Sequence, residues 1–310
     1  MRIAALGRTR MLYDAVEALA SAGHDIALVA TCRAADEYDV REEHFAALAR
    51  AHDADFLLTQ SLNSEEALGR LAAAGAEMAV SVNWINLVGP RACAAFPRGI
   101  YNAHAGDLPR FRGNAPVAWA ILLGEPHVGL CIHRMDPHAL DAGEVALRAR
   151  FPLAADTYVG DVQAWLDRRV PELFVELASG FERGRLEPTP QPTDPALALR
   201  CYPRRPEDAR LIWSQPAEAL GRLVRASAEP FTGAFATYEG ERCTVWRARP
   251  APWPCPSVAV PGQVVARDSD AGTVSVATGD GLLVLEAITL GEGTRARPAD
   301  VLRSLRSRLT

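Results

Sequence analysis

The sequence contains no lysine: all 33 of its basic residues are arginines. Set beside the abundant alanine, this bias reads as genome composition, and no chemistry is drawn from it. The six cysteines, Cys32, Cys93, Cys131, Cys201, Cys243 and Cys255, are scattered without a C-x-x-C spacing. That excludes a zinc knuckle and gives no sign of a disulfide framework, leaving free thiols. No apolar run reaches the roughly 18 residues that a membrane span needs. The opening MRIAALGRTR leads into a strand-like segment without a signal-peptide core, so a cytoplasmic protein without membrane contact is expected. Leu6-Gly-Arg-Thr-Arg10 follows the first apolar run but lacks G-x-G-x-x-G, which argues against a dinucleotide-dependent dehydrogenase. His133 and His138 precede Asp141, yet their spacing to His104 is not a metal-ligand pattern, and no metal is predicted. A strong charge of one sign is also missing. Residues 1–190 carry 18 Arg against 25 Asp and Glu, net −7, and 191–310 carry 15 against 13, net +2. Neither part has the charge of a strong polyanion binder.

What is present is an alternation of short apolar runs with helix-like stretches over the first 150 residues, the pattern of βαβ units around a largely parallel sheet. Strands are predicted at 2–6, 25–31, 55–59, 78–83, 99–104 and 128–135, with helices at 11–22, 40–52, 64–75, 90–95 and 115–123. Val162, Trp165, Leu166, Val170, Leu173, Phe174 and Leu177 recur near helical spacing over 157–183, where Pro171 is expected to kink or split the helix. Prolines crowd Glu187–Pro195 and predict an extended linker, bounded at 186–206. It separates a catalytic domain (1–185) from a C-terminal domain (207–310). The latter shows a helix at 216–227, alternating runs at 234–248, 262–267, 273–278 and 282–290, and a short terminal helix from 298, the pattern of a small β-barrel.

Polar chemistry concentrates in 99–145. Asn102 and His104 are two residues apart in a predicted strand and project to one face, so one small substrate can touch both. Leu108-Pro109 ends that strand, Arg110-Phe-Arg-Gly113 forms a polar rim, and Asp141-Ala-Gly143 reads as a turn after the next strand. Parallel α/β sheets place their sites at such strand ends.

Asn102-Ala-His104, Leu108-Pro-Arg-Phe-Arg-Gly113, Pro116-Val-Ala-Trp-Ala120 and Asp141-Ala-Gly143 together resemble the folate-dependent formyltransferase family. Four elements in fixed order within about 45 residues are far more specific than any one alone. The resemblance continues through Cys201-Tyr-Pro-Arg-Arg-Pro-Glu-Asp208, Ile212-Trp213, Leu223-Val-Arg-Ala226 and Pro230-Phe-Thr-Gly-Ala234. One departure is an extra residue between Met135 and Asp141. The resemblance implies an α/β fold, with a Rossmann-like, mostly parallel sheet followed by an OB-like β-barrel. It also implies N10-formyltetrahydrofolate as formyl donor and Asn102, His104 and Asp141 as the chemical centre.

Those residue types suit formyl transfer. Attack of an amine on the formyl carbon puts negative charge on its oxygen. A carboxamide such as that of Asn102 can donate to it, and loss of one such donor typically costs about 3–4 kcal/mol of activation free energy. His104 can take up a proton as the amine becomes cationic, and Asp141 can support the imidazole or accept the proton through a water. The residues leave that division open. By resemblance, Val82–Val88 and the 135–143 loop wall the folate pocket, which gives Asn83, Trp84, Ile85, Leu87, Leu108, Met135 and Leu140 as folate contacts. Arg8, Arg10 and Arg112 are candidates for binding the acceptor.

The acceptor is expected to be a small-molecule amine, an amino sugar linked to a nucleotide, because tRNA binding needs several cations against phosphate. The run Arg33–Glu43 carries five acids against two arginines where tRNA-acting family members have a Gly- and Lys-rich loop. Methionyl-tRNA formyl transfer and hydrolysis of the formyl-folate are the alternatives. The sugar-modifying members further suggest a homodimer formed through the C-terminal domain.

Overall fold

The computed structural model describes residues 1–35 and 38–310. Asp36 and Glu37, both part of the acidic run above, lie outside the described residues. The chain forms two compact units, each assembled from separate stretches: Met1–Gly113, Val128–Phe151 and Gln163–Cys201 in the first, and Asn114–His127, Pro152–Val162 and Tyr202–Thr310 in the second.

The first unit is built on β1 (Arg2–Gly7), α1 (Arg10–Ser21), β2 (Asp25–Thr31), α2 (Glu42–Ala51), β3 (Asp55–Leu58), α3 (Glu65–Ala73), β4 (Met78–Val82), α4 (Pro90–Ala94), β5 (Ile100–His104) and the short β6 (Arg112–Gly113). The chain continues with α5 (Pro116–Leu123), β7 (His127–Arg134), β8 (Val145–Pro152), α6 (Val159–Glu182) and β9 (Arg200–Cys201). Its main sheet has the order β3-β2-β1-β4-β5-β7-β8. The pairs from β3 through β5 are parallel, while β5 and β7 run antiparallel. Every residue of β4 is buried, as expected for a central parallel strand covered on both faces. Helix α1 turns Leu12, Ala15, Val16 and Leu19 inward at helical spacing. Helix α3 starts at Ser64, whose Oγ accepts the Ala67 amide, at the start of the helix expected over 64–75.

Three elements differ from expectation. Pro171 sits inside one continuous helix, α6, which it does not split. Leu166 and Val170 before it, and Leu173, Phe174 and Leu177 after it, are all nearly inaccessible. Burying five such side chains at about 1.5–3 kcal/mol each outweighs the roughly 3 kcal/mol penalty of an internal proline. Strand β8, absent from the predicted set, has an alternating burial pattern interrupted by charged side chains. The proline-rich stretch, expected as an extended linker, packs as part of the first unit and ends in a 3-10 turn at Pro195–Leu197. Thr189 bridges Val145, Gln191 is buried, and β9 pairs in parallel with β6.

The second unit contains α5, α7 (Ala217–Ser227) and an antiparallel sheet of β10 (Ala234–Tyr238), β11 (Glu241–Ala251), β12 (Val264–Asp268), β13 (Thr273–Ala277) and β14 (Leu282–Leu290). The sheet order is β10-β11-β14-β13-β12, all antiparallel, consistent with the expected OB-like domain. The chain then enters the short α8 (Pro298–Val301). The run 234–248, read as one stretch, is a hairpin folded at Glu239-Gly240, where both residues take positive φ as a tight two-residue turn requires. Trp213, Leu220, Val224, Val245, Val276, Leu285 and Ile288 share one core. Helix α5 buries Ala118 and Ile121 in a smaller cluster with Val159 and Ala226.

The β6–β9 pairing demands glycine. Gly113 has φ of +101°, and a Cβ there would lie 2.3 Å from the Cys201 carbonyl oxygen. Gly113→Ala is therefore expected to lower stability by at least about 2 kcal/mol, since it combines a disfavoured dihedral with a backbone clash. Urea denaturation measures this, and an unchanged midpoint would refute the assignment.

Candidate active site

Alternation along β5 presents Asn102 and His104 on one face at the carboxyl end of the parallel strands. The antiparallel register of β7 sets His133 opposite Asn102. Asp141 follows β7 on a left-handed residue, φ +51°, a conformation that Asp tolerates better than most residues. The structure brings these four side chains together. His104 Nδ1 lies 3.7 Å from Asp141 Oδ2, His133 Nε2 lies 3.6 Å from Asp141 Oδ1, and Asn102 Nδ2 lies 3.4 Å from His133 Nε2.

Backbone carbonyls fix the protons, because a carbonyl only accepts. His104 Nε2 is 2.6 Å from the Phe111 carbonyl and must donate to it, so in the neutral ring the bare nitrogen, Nδ1, faces Asp141. His133 Nδ1 donates to the Arg134 carbonyl at 3.0 Å, leaving Nε2 as an acceptor. That acceptor takes an N–H of Asn102 and thereby fixes which way the carboxamide points, with a second N–H still available.

Asp141 is held at two points, its side chain and its carbonyl. Its Oδ2 accepts the Gly113 amide at 2.8 Å. The Gln191 side chain donates to the carbonyls of Asp141 and Gly143 at 2.8 and 2.7 Å, and its own oxygen accepts from Arg112 at 2.7 Å. At Gly143 a Cβ would lie 1.9 Å from the Arg134 carbonyl oxygen, so the Asp-Ala-Gly loop can close against β7 only with glycine there.

Sequence reasoning passed over His133 and Gln191. The period-two spacing of Asn102 and His104 is visible along one strand, whereas His133 arrives through a pairing register that no local pattern encodes. Gln191 sits in a stretch that composition marks only as linker.

Residues predicted to touch the folate or the acceptor take varied positions. A cavity of about 480 Å³ is lined by Phe96, Ile100, Met135, Pro137, Gly143 and Glu144 among others. Its lining is about equally polar and apolar, and its size is in the range of small-molecule sites. Of the seven predicted folate contacts, Met135 lines it, and Trp84 packs half-buried on the same core cluster as Met135. Leu108 is buried with Cys131 and Val145. Ile85, Leu87 and Leu140 are exposed, and Asn83 donates to the Tyr38 hydroxyl. The Arg8 guanidinium lies over the Tyr38 ring at 5.2 Å and donates to the Arg33 and Asn83 carbonyls. Arg10 pairs with Asp39 at 2.9 Å, and Arg112 is engaged by Gln191. Among the described residues no group of three or more His, Cys, Asp or Glu side chains is arranged so that it could hold a metal ion. Nor is any helix among them long and apolar enough to cross a membrane.

Burial pushes the His133 imidazole down to about 4, with the nearby charge of His104 adding to the effect and Asp141 opposing it. Desolvation wins, so His133 is neutral at pH 7 and remains an acceptor toward Asn102. An unfolded histidine, near 6.5, binds its proton between pH 6.5 and 4 while the folded one does not. The stabilisation from neutral His133 is thus fully present above about pH 6.5 and is lost as pH falls toward 4. Denaturant titrations at pH 7.5 and 5 should show His133→Gln losing less stability on acidification than the parent chain. Equal losses would remove this account.

Both stretches of the chain match known proteins. The family model for formyl transferase matches residues 1–177, and that for the formyl transferase C-terminal domain matches 204–306. A methionyl-tRNA formyltransferase from Methylobacillus flagellatus is 32% identical over 307 residues, covering 97% of this chain and 96% of its own. HypX from Aquifex aeolicus, solved in complex with tetrahydrofolic acid, superposes with a TM-score of 0.62 at 21% identity. The match covers 98% of this chain, which spans about half of HypX (47%). WlaRD, a sugar 3N-formyl transferase solved with dTDP and 5-N-formyl-THF, gives a TM-score of 0.65 at 11% identity, covering 95% of this chain and 99% of its own. Matched along both of its units, the chain belongs to the formyl transferase family and is an enzyme whose formyl donor is N10-formyltetrahydrofolate.

Proposed function

We propose that the acceptor is the amine of an aminoacyl-tRNA, as in methionyl-tRNA formyltransferases, and that Asn102, His104 and Asp141 carry out the transfer. The observation that carries this reading is the 32% identity running over 97% of the chain to a protein of that name. The sequence-based preference for a nucleotide-linked amino sugar rested on net acidity and on the acidic run 33–43. Net charge over a long stretch does not set the field at one rim, and part of that run lies outside the described residues. One observation still favours the sugar reading: Arg10, at the carboxyl edge of the sheet, is already neutralised by Asp39. The likeness to WlaRD concerns the fold alone.

In this reading each residue takes a role that its geometry supports. The free N–H of Asn102 donates to the oxygen that gains charge as the amine nitrogen bonds to the formyl carbon. The amine's proton passes to the bare His104 Nδ1, where the imidazolium meets Asp141 Oδ2, and from there it goes to the departing folate nitrogen as the old carbon–nitrogen bond breaks. His133 holds the Asn102 amide in its donating orientation. The folate ring occupies the cavity beside Met135, Phe96 and Ile100, presenting a formyl carbon activated by its attachment to N10.

Asn102→Ala and Asp141→Asn are each expected to cut turnover by about a hundredfold or more with the fold retained. Tetrahydrofolate release is the assay, and parental rates in both variants would remove the mechanism. Run with methionyl-tRNA, with a dTDP- or UDP-4-amino sugar, or with no acceptor, the same assay should respond to the tRNA alone. Turnover with the sugar only would restore the amino-sugar reading, and release without acceptor would make the protein a hydrolase.

A further inference from the structure

The second unit has a cavity of its own, of about 420 Å³, lined by Arg222, Arg225, Arg249, Glu125, Asp156 and Glu218 together with apolar residues. Arg222 and Arg225 are three residues apart on α7, so their side chains are neighbours on one helix face. Arg225 is 8% exposed, and its buried Nε has no hydrogen-bond partner. Among the described residues no carboxylate lies within ion-pair range of Arg222 or Arg225, in contrast to Arg249, which Glu286 holds at 3.2 Å. Arg222 spends only its Nε, on the Leu122 carbonyl at 2.9 Å.

A nearly buried guanidinium without a counter-ion is expensive, and a second cation one helical turn away adds to the cost. Burial and Arg222 both push the Arg225 guanidinium below its ordinary range, while Glu218 and Asp156 act at longer distance to support its charge. These acids stabilise the cation without occupying its donors. Both side chains line the otherwise largely apolar cavity with terminal N–H groups that no carboxylate among the described residues occupies, donors of the kind that receive an oxyanion.

We propose that this cavity binds a phosphorylated small molecule, with its terminal phosphate held between Arg222 and Arg225. Phosphate is favoured over carboxylate because two forks offer more donors than two carboxylate oxygens accept in bidentate fashion, whereas three phosphate oxygens can take them. A small molecule is favoured over a polynucleotide because Arg225 is recessed. A terminal phosphate can enter a concavity of this size, which suits a sugar phosphate or a nucleotide, while a diester backbone tracks an open surface.

Calorimetric titration of the full chain, with 5-formyltetrahydrofolate saturating the first unit, tests this. Inorganic phosphate and glucose 6-phosphate should each bind at one saturable site, and Arg222→Gln and Arg225→Gln should each weaken that binding at least tenfold at constant ionic strength. Arg222 is only half-buried, so its variant carries the test if circular dichroism shows that the Arg225 variant fails to fold. Absence of saturable binding, or unchanged affinity in Arg222→Gln, overturns the site. Succinate binding as tightly as phosphate overturns the choice of anion. An RNA oligonucleotide that binds with the same dependence on Arg222, and more tightly than glucose 6-phosphate, overturns the choice of a small molecule.

Discussion

The site depends on one carboxylate held where it can meet two imidazoles. Asp141 would face solvent if its loop were free, but its oxygen is fixed by the Gly113 amide and its carbonyl by Gln191. Each clamp comes from a different part of the chain: β6 after the catalytic strand, and the proline-rich stretch well beyond it. Hydrogen bonds to a charged acceptor are among the stronger ones in a protein, and here they replace the water that the carboxylate gives up. Arg112 belongs to the same network through Gln191, so the two residues form part of the scaffold around the loop.

From that anchor the proton arrangement follows with little freedom. Two bare imidazole nitrogens, His104 Nδ1 and His133 Nε2, face the two oxygens of a single carboxylate. Acceptors facing acceptors is an unfavourable arrangement unless a proton enters between them. Desolvation keeps the nearly inaccessible His133 neutral, so it stays the acceptor that orients Asn102, while His104 shares the β5 face with Asn102. The mechanism proposed above gives the two rings different tasks on this basis.

How much of this was legible in the sequence depends on whether the relevant constraint is local. Central strands, the start of α3 at Ser64 and the shared face of Asn102 and His104 follow from period and residue type. The hairpin at Glu239-Gly240 was also encoded locally, but continuous alternation on both sides of the turn hid it. His133 and Gln191 were not legible, because an antiparallel register and a long-range bridge have no sequence period. The uninterrupted α6 teaches the same lesson: proline chemistry predicts a kink or a split, and burial on both sides of Pro171 keeps the helix continuous. Among the predicted folate contacts, Leu87 is exposed and Leu108 lies in a core cluster, a difference that the apolar character the two share does not encode.

The division of the chain into units bears on how the two functions can be separated. Every side chain of the catalytic cluster, and Gln191 with it, lies in the first unit, although Gln191 comes from the segment that composition reads as a connector. Helix α5, by contrast, follows directly after Gly113 in sequence but buries its apolar residues in the second unit. A cut at the proline-rich stretch would therefore remove the clamp on Asp141 and strip the second unit of α5. The chemistry of the first unit and the arginine-lined cavity of the second are thus best probed by point substitution in the intact chain. Excised halves would report the loss of shared scaffold before they reported on either site.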